Sequence, residues 1–105
     1  MVSLDLVTGF EWDDGNSYKS HKHGVDQVEA EQAFQNIPLL LLPDVKHSNV
    51  EERFHALGKT NAGRLLHITF TFRSRQTKIR VISARPMHDK EKRIYEETSE
   101  NNPEV

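Results

Sequence analysis

Cysteine is absent from these 105 residues, so neither a disulfide framework nor a thiolate zinc site can form, and nothing hints at an oxidising compartment. Long apolar runs are lacking as well: the longest, Ile37 to Pro43, falls far short of the roughly 20 residues that span a bilayer. The opening MVSLDLVTGFEWDDGN has no basic start leading into a long apolar stretch, so a signal peptide is not expected and a soluble cytoplasmic protein is. The five glycines are scattered, which excludes a phosphate-cradling P-loop and a glycine-rich dinucleotide fingerprint, so no cofactor is expected. No serine sits in a GxSxG-like elbow, which argues against a Ser-His-Asp nucleophile. Apolar residues reach only 35%, enough in a chain of this length for one domain with a modest core.

Charge is plentiful, and it is segregated. The formal net charge of -2 conceals a Met1–Pro43 segment with seven acids against two bases, an Asp44–Tyr95 segment with five acids against twelve bases, and four glutamates without a base in the last ten residues. A basic half of this kind attracts phosphates, or it merely keeps a sheet soluble.

The hydrophobic period changes along the chain. Glu11-Trp12-Asp13-Asp14 reads as a short edge strand or extended anchor, with Trp12 over the core. Asn16 to His23 suggests a short helix closed by Gly24. Asp26 and Glu29 have the spacing of a capping box and open a second helix through about Phe34. Leu39 to Leu42 reads as a strand, and alternation by two follows over Glu51–Lys59, Arg64–Arg73 and Lys78–Arg85, joined by short connectors. Met87 to Ser99 reads as a helix. The spacing predicts an α+β domain: two N-terminal helices, a four-stranded antiparallel meander and a C-terminal helix. Residues 1–97 form the single domain and 98–105 an acidic flexible tail.

Parity sorts the candidate chemistry. Leu66, Ile68, Phe70 and Phe72 belong to a core face, and Leu65, His67, Thr69, Thr71 and Arg73 to the opposite one. Regular alternation puts Ile79, Val81 and Ser83 on one face, with Arg80, Ile82 and Ala84 on the other. Glu52 goes with Phe54, whereas Arg53 goes with His55 and Leu57. A polar face holding Arg53, His55, His67, Arg73 and Arg80 is the expected result. Phosphodiester chemistry without a metal needs arginines for developing charge, and a base and an acid titrating near neutrality. In RNA the 2'-hydroxyl is itself available as nucleophile. The competing metal reading rests on His21-Lys22-His23, whose spacing of two spreads the rings over different helix faces, so no metal is expected.

Six segments together, FEWDD (10–14), KHGV (22–25), HSNVEERFHALG (47–58), GRLLHITFTFR (63–73), IRVISAR (79–85) and EKRIYEE (91–97), resemble in order and spacing the BrnT family of bacterial type II toxin-antitoxin ribonuclease toxins. The resemblance implies a RelE-like ribonuclease toxin fold and an endoribonuclease neutralised by a cognate ribbon-helix-helix, DNA-binding antitoxin, in a hetero-oligomer for which a heterotetramer is one form. It carries over His23 from KHG, Glu52 and Arg53 from EERF (with His55 beside them), Arg64 from GRLL, Arg73 from TFR, and Arg80 and Arg85 from IRVISAR. On this basis Arg64, Arg73, Arg80 and Arg85 would bind phosphate and offset transition-state charge, while Glu52, His23 or His55 would take the 2'-hydroxyl proton. A catalytically degenerate toxin that only binds antitoxin and tunes repression is the alternative. A basic antitoxin segment would dock on the acidic N-terminal 43 residues, or the antitoxin would cover the cationic face.

Overall fold

The computed structural model describes residues 2–101, which build a five-stranded sheet in the order β1-β5-β4-β3-β2 with three α-helices. The elements run β1 (Gly9–Glu11), α1 (Asp14–His21), α2 (Gln27–Gln35), β2 (Leu40–Pro43), a 3-10 turn (Val45–His47), β3 (Phe54–Lys59), β4 (Leu65–Arg73), β5 (Lys78–Pro86) and α3 (Asp89–Asn101). The expected antiparallel meander is present as β2 to β5. Four strands is nevertheless one too few, and the sheet is mixed. β1 lies parallel to β5, with Phe10 opposite Ile79 and Glu11 opposite Arg80, because the segment before α1 folds back along the free edge of β5. Of the tail expected over 98–105, residues 98–101 continue α3 and 102–105 lie outside the described residues.

Local chemistry explains the helix ends. α1 starts earlier than expected because Asp13 caps it: its Oδ1 accepts from the Asn16 N–H at 3.0 Å, while Asn16 Oδ1 accepts from the Asp13 N–H at 2.7 Å. Buried Asn16 also donates through Nδ2 to the Glu11 and Val81 carbonyls, which fixes α1 against β5. Gly24, at φ +77°, then turns the chain into α2. Glu29 accepts from the Asp26 N–H at the start of α2, as its spacing suggests.

One sheet face carries the main core. Phe54, Ala56, Leu66, Ile68, Phe70, Ile79, Val81 and Ala84 pack against Val25, Ala30 and Ala33, with Phe10, Trp12 and Phe34 at the margin. The two alanines let α2 come so close that a Cβ on Gly58 would stand 2.5 Å from the Ala33 carbonyl oxygen. The other face is only partly covered. Leu57, Met87 and Tyr95, flanked by Leu40 and Leu65, form a second small core that seats α3 at one end, and Tyr95 Oη donates to the Pro38 carbonyl at 2.6 Å. The rest of that face is left to polar groups.

Candidate active site

Strand register assembles the polar face. Thr69 of β4 lies between His55 and Ser83, His67 between Leu57 and Arg85, and Thr71 opposite Arg80. The regular alternation expected on β5 fails at one point: Thr69 pairs with Ser83 but Phe70 pairs with Val81, so Ile82 is an extra residue in a bulge. Beyond it the parity reverses. Ser83 leaves the Ile79–Val81 face, Ala84 enters the core, and Arg85 arrives beside His67. The bulge thus supplies an arginine to a face that strict alternation denies it.

The centre of this face is a cavity of about 450 Å³ lined in part by Asp44, His47, Arg53, His55, His67 and Arg85. Asp44 is its buried anion, 6% exposed. Its Oδ2 lies 3.0 Å from His55 Nε2 and 3.1 Å from His47 Nδ1. Burial works against ionisation of Asp44, but the hydrogen bond from His47 and the charge and hydrogen bond of His55 outweigh it and hold the carboxyl below its ordinary value. An ionised carboxylate only accepts, so His55 carries its proton on Nε2 and His47 on Nδ1, and the other nitrogen of each ring is left for chemistry. The His55 and His67 ring centroids are 4.6 Å apart. Burial and the neighbouring Arg85 push His67 down to about 4 against the pull of Glu91, so it is neutral at pH 7.

The arginines are not equivalent. Arg85 forms a two-pronged pair with Glu91 from the first turn of α3, both bonds at 2.8 Å. Glu91 also accepts from the His88 N–H, and although burial opposes its charge, these donors bring it down to about 2. Arg80 meets Glu11 at 3.1 Å and Asp13 at 2.9 Å, and Arg73 meets Glu51 at 2.8 Å. Arg53 differs: among the described residues it has no carboxylate partner, and its Nε is buried without a hydrogen bond. It also reaches three adjoining hollows, the central one and two at its flanks.

Of the residues singled out from sequence, the fold brings Arg53, His55 and Arg85 into the cavity and sets Arg80 and Arg73 beside it. Three lie elsewhere. Arg64 donates to the Gly24 carbonyl at 2.7 Å and to Glu29, tying the loop between α1 and α2 to the start of β4. His23 belongs to that loop, exposed, with its backbone N–H bonded to Ser20. Glu52 projects with Phe54 to the opposite side, near Leu41 and Phe72, as parity requires. Sequence reasoning missed Asp44, His47 and Glu91. Glu91 left a signal, three residues after His88 at a helix start, where a glutamate reaches back to the N-cap. Asp44 left none, because the β2–β3 register brings it to His55. The acids of the N-terminal half are largely engaged internally: Asp13 with Arg80, Glu29 with Arg64, and Glu31 with the Trp12 indole at 2.8 Å. His21 Nδ1 lies 3.9 Å from Asp26, and among the described residues no three His, Asp or Glu side chains are placed to hold a metal ion.

The family model described as ribonuclease toxin, BrnT, of type II toxin-antitoxin system matches residues 12–91, a span that holds α1 through the first turn of α3 and every residue of the cavity. The chain belongs to the BrnT family. A search of curated proteins finds no match. BrnT membership makes this chain a type II ribonuclease toxin and implies an antitoxin partner. Among the described residues no helix is long and apolar enough to cross a membrane.

Proposed function

We propose that the chain is a metal-independent endoribonuclease that cleaves RNA in the cytoplasm by attack of a 2'-hydroxyl on the adjacent phosphate. The observation that carries this reading is the Arg53 guanidinium, without a carboxylate partner among the described residues, beside two imidazoles held by one buried carboxylate. Arg53 receives the scissile phosphate and offsets the negative charge that develops on it, while Arg85, held by Glu91, lines the same cavity. His55 takes the 2'-hydroxyl proton on Nδ1, and His47, as imidazolium, gives a proton from Nε2 to the departing 5'-oxygen. The products are a 2',3'-cyclic phosphate and a 5'-hydroxyl. Asp44 faces one imidazolium before the reaction (His47) and one after it (His55), so the net charge of the trio stays constant. Neutral His67 packs against His55, their ring centroids 4.6 Å apart.

The same family resemblance supports a ribbon-helix-helix antitoxin, in a hetero-oligomer that blocks the activity. A second reading has its own observation: Arg73, Arg80 and Arg85 each already hold a carboxylate, as in a toxin that keeps only its antitoxin-binding role. Expression of the chain without antitoxin separates the two. Growth arrest with RNA loss, abolished by Arg53→Ala, supports the enzyme; harmless expression of folded wild-type protein selects the second reading.

A further inference from the structure

The cations around the cavity divide into those already neutralised and those a polyanion can reach without displacing a carboxylate. Arg73, Arg80 and Arg85 belong to the first group. Arg53, Lys19 and Lys46 belong to the second: no ion pair involves them among the described residues, and both lysines are exposed. Their placement is ordered. Lys19 lines a hollow of about 230 Å³ with Arg53, Arg80 and Ile82, and Lys46 lines another of about 480 Å³ with His47, Val50 and Arg53. Both adjoin the histidine cavity through Arg53. Glu51 borders the two flanking hollows, but Arg73 neutralises it at 2.8 Å.

We propose that Lys19 and Lys46 bind the phosphates on either side of the one held by Arg53, so that the substrate is single-stranded RNA engaged over three consecutive phosphates. The inference deepens the ribonuclease reading and rests on it. A single strand is required because the base His55 is recessed, with 31% of its side chain exposed beside a more open His47 at 58%, and a nucleotide stacked in a rigid duplex cannot turn its sugar inward to meet it. Val50, 99% exposed above the Lys46 hollow, offers an apolar surface to the flanking base.

The test measures binding of 2'-O-methyl oligonucleotides, which cannot react, by fluorescence anisotropy across a salt series. On a tetranucleotide, Lys19→Ala and Lys46→Ala should each lower the slope of log affinity against log salt by about 0.7, and the double variant by about 1.4; at 0.1 M salt each loss is about five-fold in affinity. A dinucleotide, with its single phosphate, should bind all these variants alike. An unchanged tetranucleotide slope overturns the proposal. So does an equal loss on the dinucleotide, which would indicate only a diffuse field. Substitutions that weaken antitoxin binding and leave the oligonucleotide unaffected overturn it too, and assign the patch to the protein partner. The two readings fail separately. Lysine-dependent binding without cleavage of an all-ribose strand refutes the reaction and keeps the binding path, whereas cleavage with a lysine-independent slope does the reverse.

Discussion

Replacing His67 with glutamine should flatten the acid limb of the stability curve. His67 is 8% exposed, between Leu57 and Arg85 on the sheet, and its pKa falls from 6.5 to about 4 on folding through burial and the charge of Arg85. Between those values the unfolded chain binds a proton that the folded chain refuses. The stability linked to this group is therefore fully present above pH 6.5 and drains away as pH falls towards 4. The gap corresponds to at most about 3 kcal/mol, a large part of the ~5–15 kcal/mol that holds a domain of this size together. His67→Gln keeps a polar side chain of similar reach and cannot acquire the charge. Urea unfolding of both proteins from pH 7.5 to 4 reads the effect as the difference between two chains that differ at this one side chain. The wild type should lose up to about 3 kcal/mol more than the variant over that range. Parallel curves, or a wild type that gains stability in acid relative to the variant, would refute the reasoning.

Two further outcomes follow from the geometry. Asp44→Asn preserves an acceptor for the His47 N–H that starts the 3-10 turn but removes the carboxylate shared by the imidazoles; kcat on RNA should fall about 10²- to 10⁴-fold with KM little changed. Single-turnover kinetics of the folded variant checks this, and an unaltered kcat counts against the proton-transfer scheme. Gly58→Ala places a methyl group 2.5 Å from the Ala33 carbonyl oxygen, so α2 must shift; urea unfolding should show a loss of about 1–3 kcal/mol, and no loss would mean that the helix is less closely docked than described.

How much of this was legible in the sequence depends on whether a feature is local. The nine residues of β4 alternate without interruption, and their two faces came out as periodicity implies. The capping box of α2 was legible for the same reason, since Asp26 and Glu29 interact within one turn. On β5 the pattern misled, because a bulge at Ile82 inverts the parity of everything after it, and nothing in Val81-Ile82-Ser83 announces the extra residue. β1 was read as an edge strand or an anchor, but its parallel pairing with β5 joins segments about seventy residues apart and leaves no short-range mark. The charge count misled in a different way. The basic half looked like an open cationic surface, whereas Glu11, Asp13, Glu51 and Glu91 fold onto its arginines. What separates Arg53 from Arg64, Arg73, Arg80 and Arg85 is the absence of such a partner among the described residues, and that is a property of tertiary structure alone.

The central claim concerns which oxygen attacks the phosphate, and the ends left by cleavage record it. Mass spectrometry of an oligoribonucleotide cut by the purified protein in EDTA should show a 2',3'-cyclic phosphate on the upstream fragment and a 5'-hydroxyl on the downstream one. A 3'-hydroxyl paired with a 5'-phosphate would mean that water, and not the 2'-hydroxyl, was the nucleophile, and would contradict the account.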